Sequence, residues 1–256
     1  SRQHGAPAER PARSARRAGG RPGGPRAWSL AAARVREKPA KPRQTSRMFK
    51  KTFVVQAQNL LSKKDLRSLK TQLGEQLPGL EEDQLDKLLP DGQVKVLKLD
   101  NRCLLYASGD NPPCFFDVEG RGELYPCLTT LWQHPYLMQE LTIHPPVSKF
   151  MLNGADLMLP GVIVPANGVS GLGSVSKGQK RCIKIEGNPY PIAVGKVVVN
   201  QTQFEKLVGR GLEVLHVYSD TLWAHAGKIV PNAGFSEKDD EICPCKDQSY
   251  SPGAPG

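Results

Sequence analysis

Residues 149–165 read KFMLNGADLMLPGVIVP, and this stretch decides the fold expected for the chain. Two short apolar runs, 157–159 and 162–164, flank the dipeptide Pro160-Gly161. That dipeptide is typical of a tight turn, since proline presets φ at the first corner and glycine accepts a positive φ at the second. The pattern therefore predicts two short strands joined by a turn, an arrangement typical of a small barrel or sandwich.

Small residues precede the first apolar run. The segment Asn153-Gly154-Ala155 is expected to leave backbone N–H groups uncovered, where a phosphate or ribose can approach the main chain. Asp156 follows without a partner acid or base nearby in sequence, so we interpret it as a turn cap or as an acceptor for backbone N–H groups. In the structural alternative, the glycines only build turns and the Leu/Met run only fills a core.

Downstream, short β-prone segments separated by glycine turns continue to residue 218, and this spacing predicts a β-barrel. Residues 180–185 alternate so that one side of the strand can be partly basic. A longer β-branched strand is expected over 192–199, interrupted at Gly195, and a short helix over 201–208.

Upstream, residues 48–140 have an α+β pattern. Leucines at helical spacing follow a capping residue, Ser62, and predict a first helix that ends at Pro78-Gly79. A second helix should start near Glu81, followed by strands at 93–99, 103–107 and 114–118. Pro126 fits the first position of a third helix.

The net charge of +10 is unevenly distributed. Residues 1–47 carry 13 Lys/Arg and 2 Glu with few large apolar residues, so they are expected to be disordered. We expect an α+β domain over 48–140, a β-barrel domain over 141–230 and a second disordered segment over 231–256. The barrel segment holds 9 basic and 5 acidic residues, a modest excess that is compatible with RNA contact.

The sequence contains no recognisable catalytic or cofactor motif. Its five histidines are scattered, and Cys243-Pro-Cys245 lacks the second pair that a zinc site needs. No nucleophile elbow or phosphate-binding loop occurs, and no apolar run reaches 18 residues. We therefore expect a non-enzymatic, cytoplasmic protein without cofactor, metal or membrane span, with reduced thiols, although six cysteines leave a disulfide framework open.

Several motifs resemble a known family. The run GADLMLPGV, with Lys177-Gly178, residues 193–195 and residues 209–211, resembles the PUA domain. MFKK at Met48, LYPCLTTLW at 124–132 and LHVYSDTLW at 215–223 resemble the N-terminal half of the ligatin, or translation initiation factor 2D, family. The T-cell lymphoma oncoprotein that partners density-regulated protein is similar, and the resemblance covers about 48–228.

The resemblance implies an RNA-binding translation factor that delivers tRNA to the P site of the small ribosomal subunit and helps to release tRNA and mRNA after termination. The first domain would dock on the subunit and the PUA domain would meet the tRNA acceptor end. A protein-interaction module that needs a partner chain, or competes with the full-length factor, is the alternative. The RNA-contact candidates are Gly154, Ala155, Asp156, Lys177, Lys180, Arg181 and Arg210.

The same resemblance bears on the two ends of the chain. Met48 looks like the family's native beginning, so residues 1–47 are interpreted as the product of a start site called too early. A basic RNA-binding arm and a transit peptide are the alternatives. The C-terminal segment is interpreted as a truncated or alternatively spliced ending.

Overall fold

The computed structural model describes residues 48–235. Residues 1–47 and 236–256, where disorder was expected, lie outside the described part. Residues 231–235 belong to the expected tail but pack against the folded part. Phe235 is buried beside the rings of Trp132 and Tyr218, and its carbonyl accepts from the Tyr218 hydroxyl at 3.0 Å.

The first module is an antiparallel five-stranded sheet in the strand order β1-β2-β3-β4-β5. Its strands are β1 (Val55–Leu60), β2 (Val94–Leu99), β3 (Leu104–Ser108), β4 (Phe115–Asp117) and β5 (Leu124–Pro126). Three helices accompany them: α1 (Lys63–Gln76), α2 (Glu82–Leu88) and α3 (Leu128–Gln133).

Helix α1 begins and packs as the leucine spacing predicts. The Ser62 side chain accepts from the Asp65 backbone N–H at 3.2 Å and caps the first turn. Leu66, Leu69 and Leu73 fall on one face and are buried. This face places the helix on the first sheet, with its C-terminal turn beside β5.

The expected helix start at Pro126 is wrong. Pro126 is the last residue of β5 and pairs with Phe115, and α3 begins two residues later after Cys127. The strand was missed because it is only three residues long and is recognised by its pairing with β4 rather than by a periodic pattern.

The second module is a five-stranded sheet in the order β6-β8-β9-β10-β7. Its strands are β6 (Glu140–Ile143), β7 (Leu157–Met158), β8 (Lys180–Ile185), β9 (Pro191–Val197) and β10 (Arg210–Val217). The helices are α4 (Ser148–Leu152), α5 (Gln201–Glu205) and α6 (Thr221–His225), with single 3₁₀ turns at Pro135–Leu137, Pro145–Val147, Leu159–Gly161 and Val169–Leu172.

The second sheet closes on itself. Ile143 of β6 forms a bridge with Val162, and the Ile163 N–H donates to the Thr142 carbonyl at 2.8 Å. This pairing joins one edge of the sheet to the segment that follows the other edge strand. The expected α+β domain followed by a PUA-type β-barrel is therefore confirmed.

The two strands expected around Pro160-Gly161 do not form a hairpin. The first run supplies β7, which pairs with β10, and the second run makes only the bridge at Val162. Gly161 lies in a 3₁₀ turn without a positive φ. A Cβ there would lie 3.0 Å from both γ-carbons of Val147. The glycine is therefore needed because the Val147 side chain packs closely against it, and not because the turn requires a positive φ.

The two modules are joined by direct contacts. The Trp132 indole N–H donates to the Pro191 carbonyl at 2.9 Å, and the Thr221 N–H donates to the Phe49 carbonyl at 2.9 Å. The Phe49 and Phe116 rings each form a T-shaped contact with the His216 ring. Within 48–235, no helix is long and apolar enough to cross a bilayer.

Candidate nucleic-acid interface

The glycine loop after α4 uses its backbone donors internally. The N–H groups of Asn153, Gly154 and Ala155 donate to carbonyls of α4 at 3.1, 2.8 and 2.9 Å. Gly154 has φ +87°, a left-handed conformation that favours glycine at the end of a helix. The expectation of uncovered N–H groups is therefore wrong, because the loop ends a helix and satisfies that helix's last carbonyls.

Asp156 fixes this loop to β10, as its interpretation from sequence suggested. Its Oδ1 accepts from the Val214 N–H at 3.0 Å, and its Oδ2 lies 2.9 Å from Arg210 Nε. The Arg210 contact is an ion pair rather than a directed hydrogen bond. Arg210 also lies 3.8 Å from a Glu213 oxygen, so two carboxylates partly neutralise it.

Lys50 covers the glycine of the loop and binds Asn153, a residue 103 positions away. Its Nζ donates to the Asn153 carbonyl at 2.8 Å, and a Cβ on Gly154 would lie 3.2 Å from its Nζ and Cδ atoms. The N-terminal segment of the first module therefore adds an exposed cation to a loop of the second.

Large apolar side chains are exposed on β7 and on the segments next to it. Phe150 is 58% exposed, Met158 50% and Val208 73%. The Lys149 ammonium lies 5.6 Å from the centre of the Phe150 ring. Met158 pairs with Arg210 across β7 and β10, which puts their side chains on one face.

We call this surface the β7 face. It consists of Lys50, Lys149, Phe150, Met158, Val208 and Arg210.

Lys180 lies in the joint between the modules rather than on a surface. Its Nζ donates to Gln76 Oε1 at 2.5 Å and to the Leu124 carbonyl, and it sits 4.8 Å from the centre of the Tyr125 ring. Burial lowers the pKa of Lys180 to about 8, against the opposing effect of Glu123 and Asp117. A neighbouring pair, Lys196 and Glu123 at 2.8 Å, spans the same joint.

Arg181 is 1% exposed and lies inside the second module. Its Nη2 donates to the Ser174 carbonyl at 2.9 Å and to Gln179 Oε1 at 3.3 Å, while its buried Nε has no hydrogen-bond partner. Burial lowers the pKa of the guanidinium. Lys180 therefore connects the two modules and Arg181 is buried within the second, so neither side chain is available on a surface that could contact RNA.

Lys177 is exposed in the turn before β8. The Gly178 N–H donates to the Val197 carbonyl at the end of β9, and Val197 pairs with Leu212 near the start of β10. Lys177 therefore lies at the same end of the sheet as Arg210, separated from β7 by two strands.

The sequence candidates thus divide into three groups. Gly154, Ala155, Asp156 and Arg210 come together beside β7, Lys177 stands apart at one end, and Lys180 and Arg181 are internal. Lys50 and Phe150, which also lie beside this loop, were not among the sequence candidates. Phe150 lies one position before the buried Met151, off the buried face of α4, and a helix of five residues is too short for its sequence to show which of the two is buried.

The described residues contain no group of three or more potential metal ligands. Their four cysteines, Cys103, Cys114, Cys127 and Cys182, are free and buried. Burial raises the pKa of the Cys114 and Cys182 thiols to about 12, so both stay protonated at neutral pH.

Comparison with known proteins identifies both modules. Residues 49–135 match the model of the pre-PUA-like domain, and residues 138–221 match that of the PUA domain of eukaryotic translation initiation factor 2D. The chain belongs to the translation initiation factor 2D family. Its second module is therefore a PUA domain, and its first is a pre-PUA domain.

Relatives of two lengths share these domains. Initiation factor 2D from Rattus norvegicus is 37% identical over 193 residues, which cover 73% of this chain and 33% of the relative. Translation machinery-associated protein 20 from Eremothecium gossypii is 30% identical over 159 residues, covering 61% of this chain and 86% of the relative. The chain therefore spans about a third of the length of the longer relatives.

A solved structure shows the same fold. A hypothetical protein from the hyperthermophilic archaeon Pyrococcus horikoshii OT3 superposes with a TM-score of 0.53 at 22% identity. The match covers 66% of this chain and 98% of that protein, so both domains are included.

Proposed function

We propose that this chain is an RNA-binding part of a translation factor, and that its PUA domain contacts structured RNA through the β7 face. Family membership supports the role in translation. The observation that carries the proposal is the combination of an exposed aromatic ring, an exposed thioether and several cations beside the loop at Gly154. Exposed aromatic rings stack on unpaired bases, and lysines next to them meet the phosphates.

The RNA that fits this arrangement best is the single-stranded end of a tRNA. Such an end offers unstacked bases to the Phe150 ring and a sharply turned backbone to Lys50 and Lys149. In this proposal the pre-PUA domain docks on the small ribosomal subunit. The two domains together then deliver tRNA to the P site and help to release tRNA and mRNA after termination. Lys177 and Arg210 extend the contact as cations at one end of the barrel.

Replacing Phe150 by alanine tests the stacking contact. Loss of one base stacked on an aromatic ring costs about 1–3 kcal/mol, so the affinity of the full chain for tRNA should fall roughly 5- to 150-fold. Fluorescence anisotropy with labelled tRNA at fixed salt measures this change. Sedimentation with small ribosomal subunits, with and without tRNA, shows whether the bound tRNA reaches the subunit.

Tyr136→Ala is the matched control. Tyr136 is an exposed ring, 89% accessible, in the 3₁₀ turn Pro135–Leu137, outside the β7 face. Its loss should leave tRNA affinity within about twofold, since surface substitutions away from an interface change little. Equal tRNA affinity for Phe150→Ala and the unaltered chain, or a chain that binds neither tRNA nor small subunits at low salt, would contradict the proposal.

A further inference from the structure

Strand β1 is an edge strand that no other strand among residues 48–235 covers on its outer side. Within residues 48–235 it pairs with β2 alone, and five of its six residues are exposed, so only Val55 at its start packs against the core. Val54 just before it is 62% exposed, and Leu60 at its end is 60% exposed. A strand exposed on its edge and both faces offers a partner its main chain and its side chains together.

The register shows which main-chain groups point outward. The Leu61 N–H donates to the Val94 carbonyl at 2.8 Å, so Leu61 and Val94 form a hydrogen-bonded pair. Because such pairs alternate along an antiparallel ladder, Ala57 and Asn59 face β2, while Gln58 and Leu60 direct their N–H and C=O groups away from it.

This edge lacks the usual protection against pairing. Proteins commonly shield edge strands with lysine, proline or inward-pointing charge. Residues 52–62 read TFVVQAQNLLS and contain neither a charge nor a proline. No charge or proline in this segment therefore opposes pairing with the outward donors and acceptors at Gln58 and Leu60.

Cations surround the two ends of the edge. Lys51 precedes the strand, and Lys63, Lys64 and Arg67 follow it on the first turns of α1, all exposed. Lys98 is exposed on β2, opposite Ala57. Two exposed acidic residues lie nearby: Asp65, which accepts a hydrogen bond from Ser62 at 2.6 Å, and Asp100, whose N–H donates to the Val54 carbonyl at 3.1 Å. Since five cations outnumber these two carboxylates, the edge is an uncharged strand whose ends are basic on balance.

We propose that β1 accepts an extended segment of a partner polypeptide as a sixth strand, with an uncharged core of about six residues and acidic residues at both ends. Main-chain hydrogen bonds give the register, and the flanking carboxylates meet the basic ends. A nucleic acid fits less well, since no cation lies along the strand itself. A second copy fits less well too, because its own basic ends would face these in antiparallel pairing.

The test uses the full chain and a labelled peptide with a core of alternating threonine and valine and two acidic residues at each end. We expect saturable binding by fluorescence anisotropy. Gln58→Pro removes one outward N–H while leaving the bonds to β2, a position where edge strands tolerate proline. Gln58→Ala is the matched control, since it keeps that N–H. The proline variant should bind at least about 10-fold more weakly than the alanine variant.

Changes in the peptide test the same contact without relying on the variant. A peptide with lysine flanks should bind at least about 10-fold more weakly than the acidic one. N-methylation on one edge of the peptide should abolish binding, and on the other edge should leave it intact. Equal binding by all peptides, no binding by the acidic peptide, or equal loss on both edges would overturn the proposal.

Two other results would also overturn it. Displacement of the peptide by single-stranded RNA, with RNA binding unaffected by Gln58→Pro, would indicate a basic surface for nucleic acid. Concentration-dependent dimerisation that Gln58→Pro removes would indicate pairing between copies. The peptide experiment contains no RNA, so a negative result would not contradict RNA binding by the β7 face. A negative result with tRNA would likewise not contradict peptide binding at β1.

Discussion

Replacing Arg181 by glutamate is expected to lower the free energy of unfolding by about 3–5 kcal/mol. The side chain is 1% exposed, and its guanidinium donates to the Ser174 carbonyl and to the Gln179 side-chain oxygen. A carboxylate in that place has no donors of its own, so the Ser174 carbonyl loses its partner and a buried negative charge faces two oxygens. Loss of fold, not loss of RNA affinity, is the primary effect.

Chemical denaturation followed by circular dichroism measures this change. Lys177→Glu is the control, because Lys177 is exposed in the turn before the same strand and its charge reversal should cost less than about 0.5 kcal/mol. An Arg181→Glu protein that unfolds at the same denaturant concentration as the unaltered chain would contradict the internal role of this residue.

Replacing Gly195 by alanine is the second change with a large expected effect. A Cβ at this position would lie 2.5 Å from the Glu213 carbonyl oxygen on the neighbouring strand, and backbone atoms cannot yield as a flexible side chain can. The β9–β10 ladder must separate locally, beside its bulge at Val214 and His216. We expect a loss of about 2–4 kcal/mol, in the upper part of the usual range of overpacking costs or above it.

Thermal unfolding checks this prediction. At about 2–4 °C per kcal/mol for a domain of this size, the midpoint should fall by roughly 5–15 °C. Gly74→Ala is the matched control, since Gly74 lies in α1 with nothing near its missing Cβ. That change should raise stability by about 0.5–1 kcal/mol. Equal midpoints for the two alanine variants would contradict the close approach at Gly195.

Local patterns predicted the elements that need little tertiary information. The leucine spacing that starts after Ser62 gave α1, because a helix with one buried face shows that face in its own sequence. Asp156 was interpreted as an acceptor for backbone N–H groups, and it does accept from Val214. Gly195 was expected to interrupt its strand, whereas it lies within β9 and allows β10 to come close.

The misplaced candidates share a physical cause. Alternation in 180–185 suggested a partly basic side, but both sides of β8 are covered, one within the barrel and one by the first module. Whether a strand has one or two buried faces depends on what packs against it, and that cannot be read from its own residues. Lys50 was missed for the same reason, since its contact with the Gly154 loop joins residues 103 positions apart.

The most direct measurement of the β7 face is the salt dependence of tRNA binding. The full chain and a Lys50→Gln/Lys149→Gln variant are titrated with labelled tRNA at several salt concentrations, with Lys64→Gln/Lys87→Gln as the control on the first module. Each lost phosphate contact lowers the slope of log affinity against log salt by about 1. We expect a slope reduced by about 2 for the β7-face variant only, and parallel slopes for all three proteins would contradict RNA binding by this face.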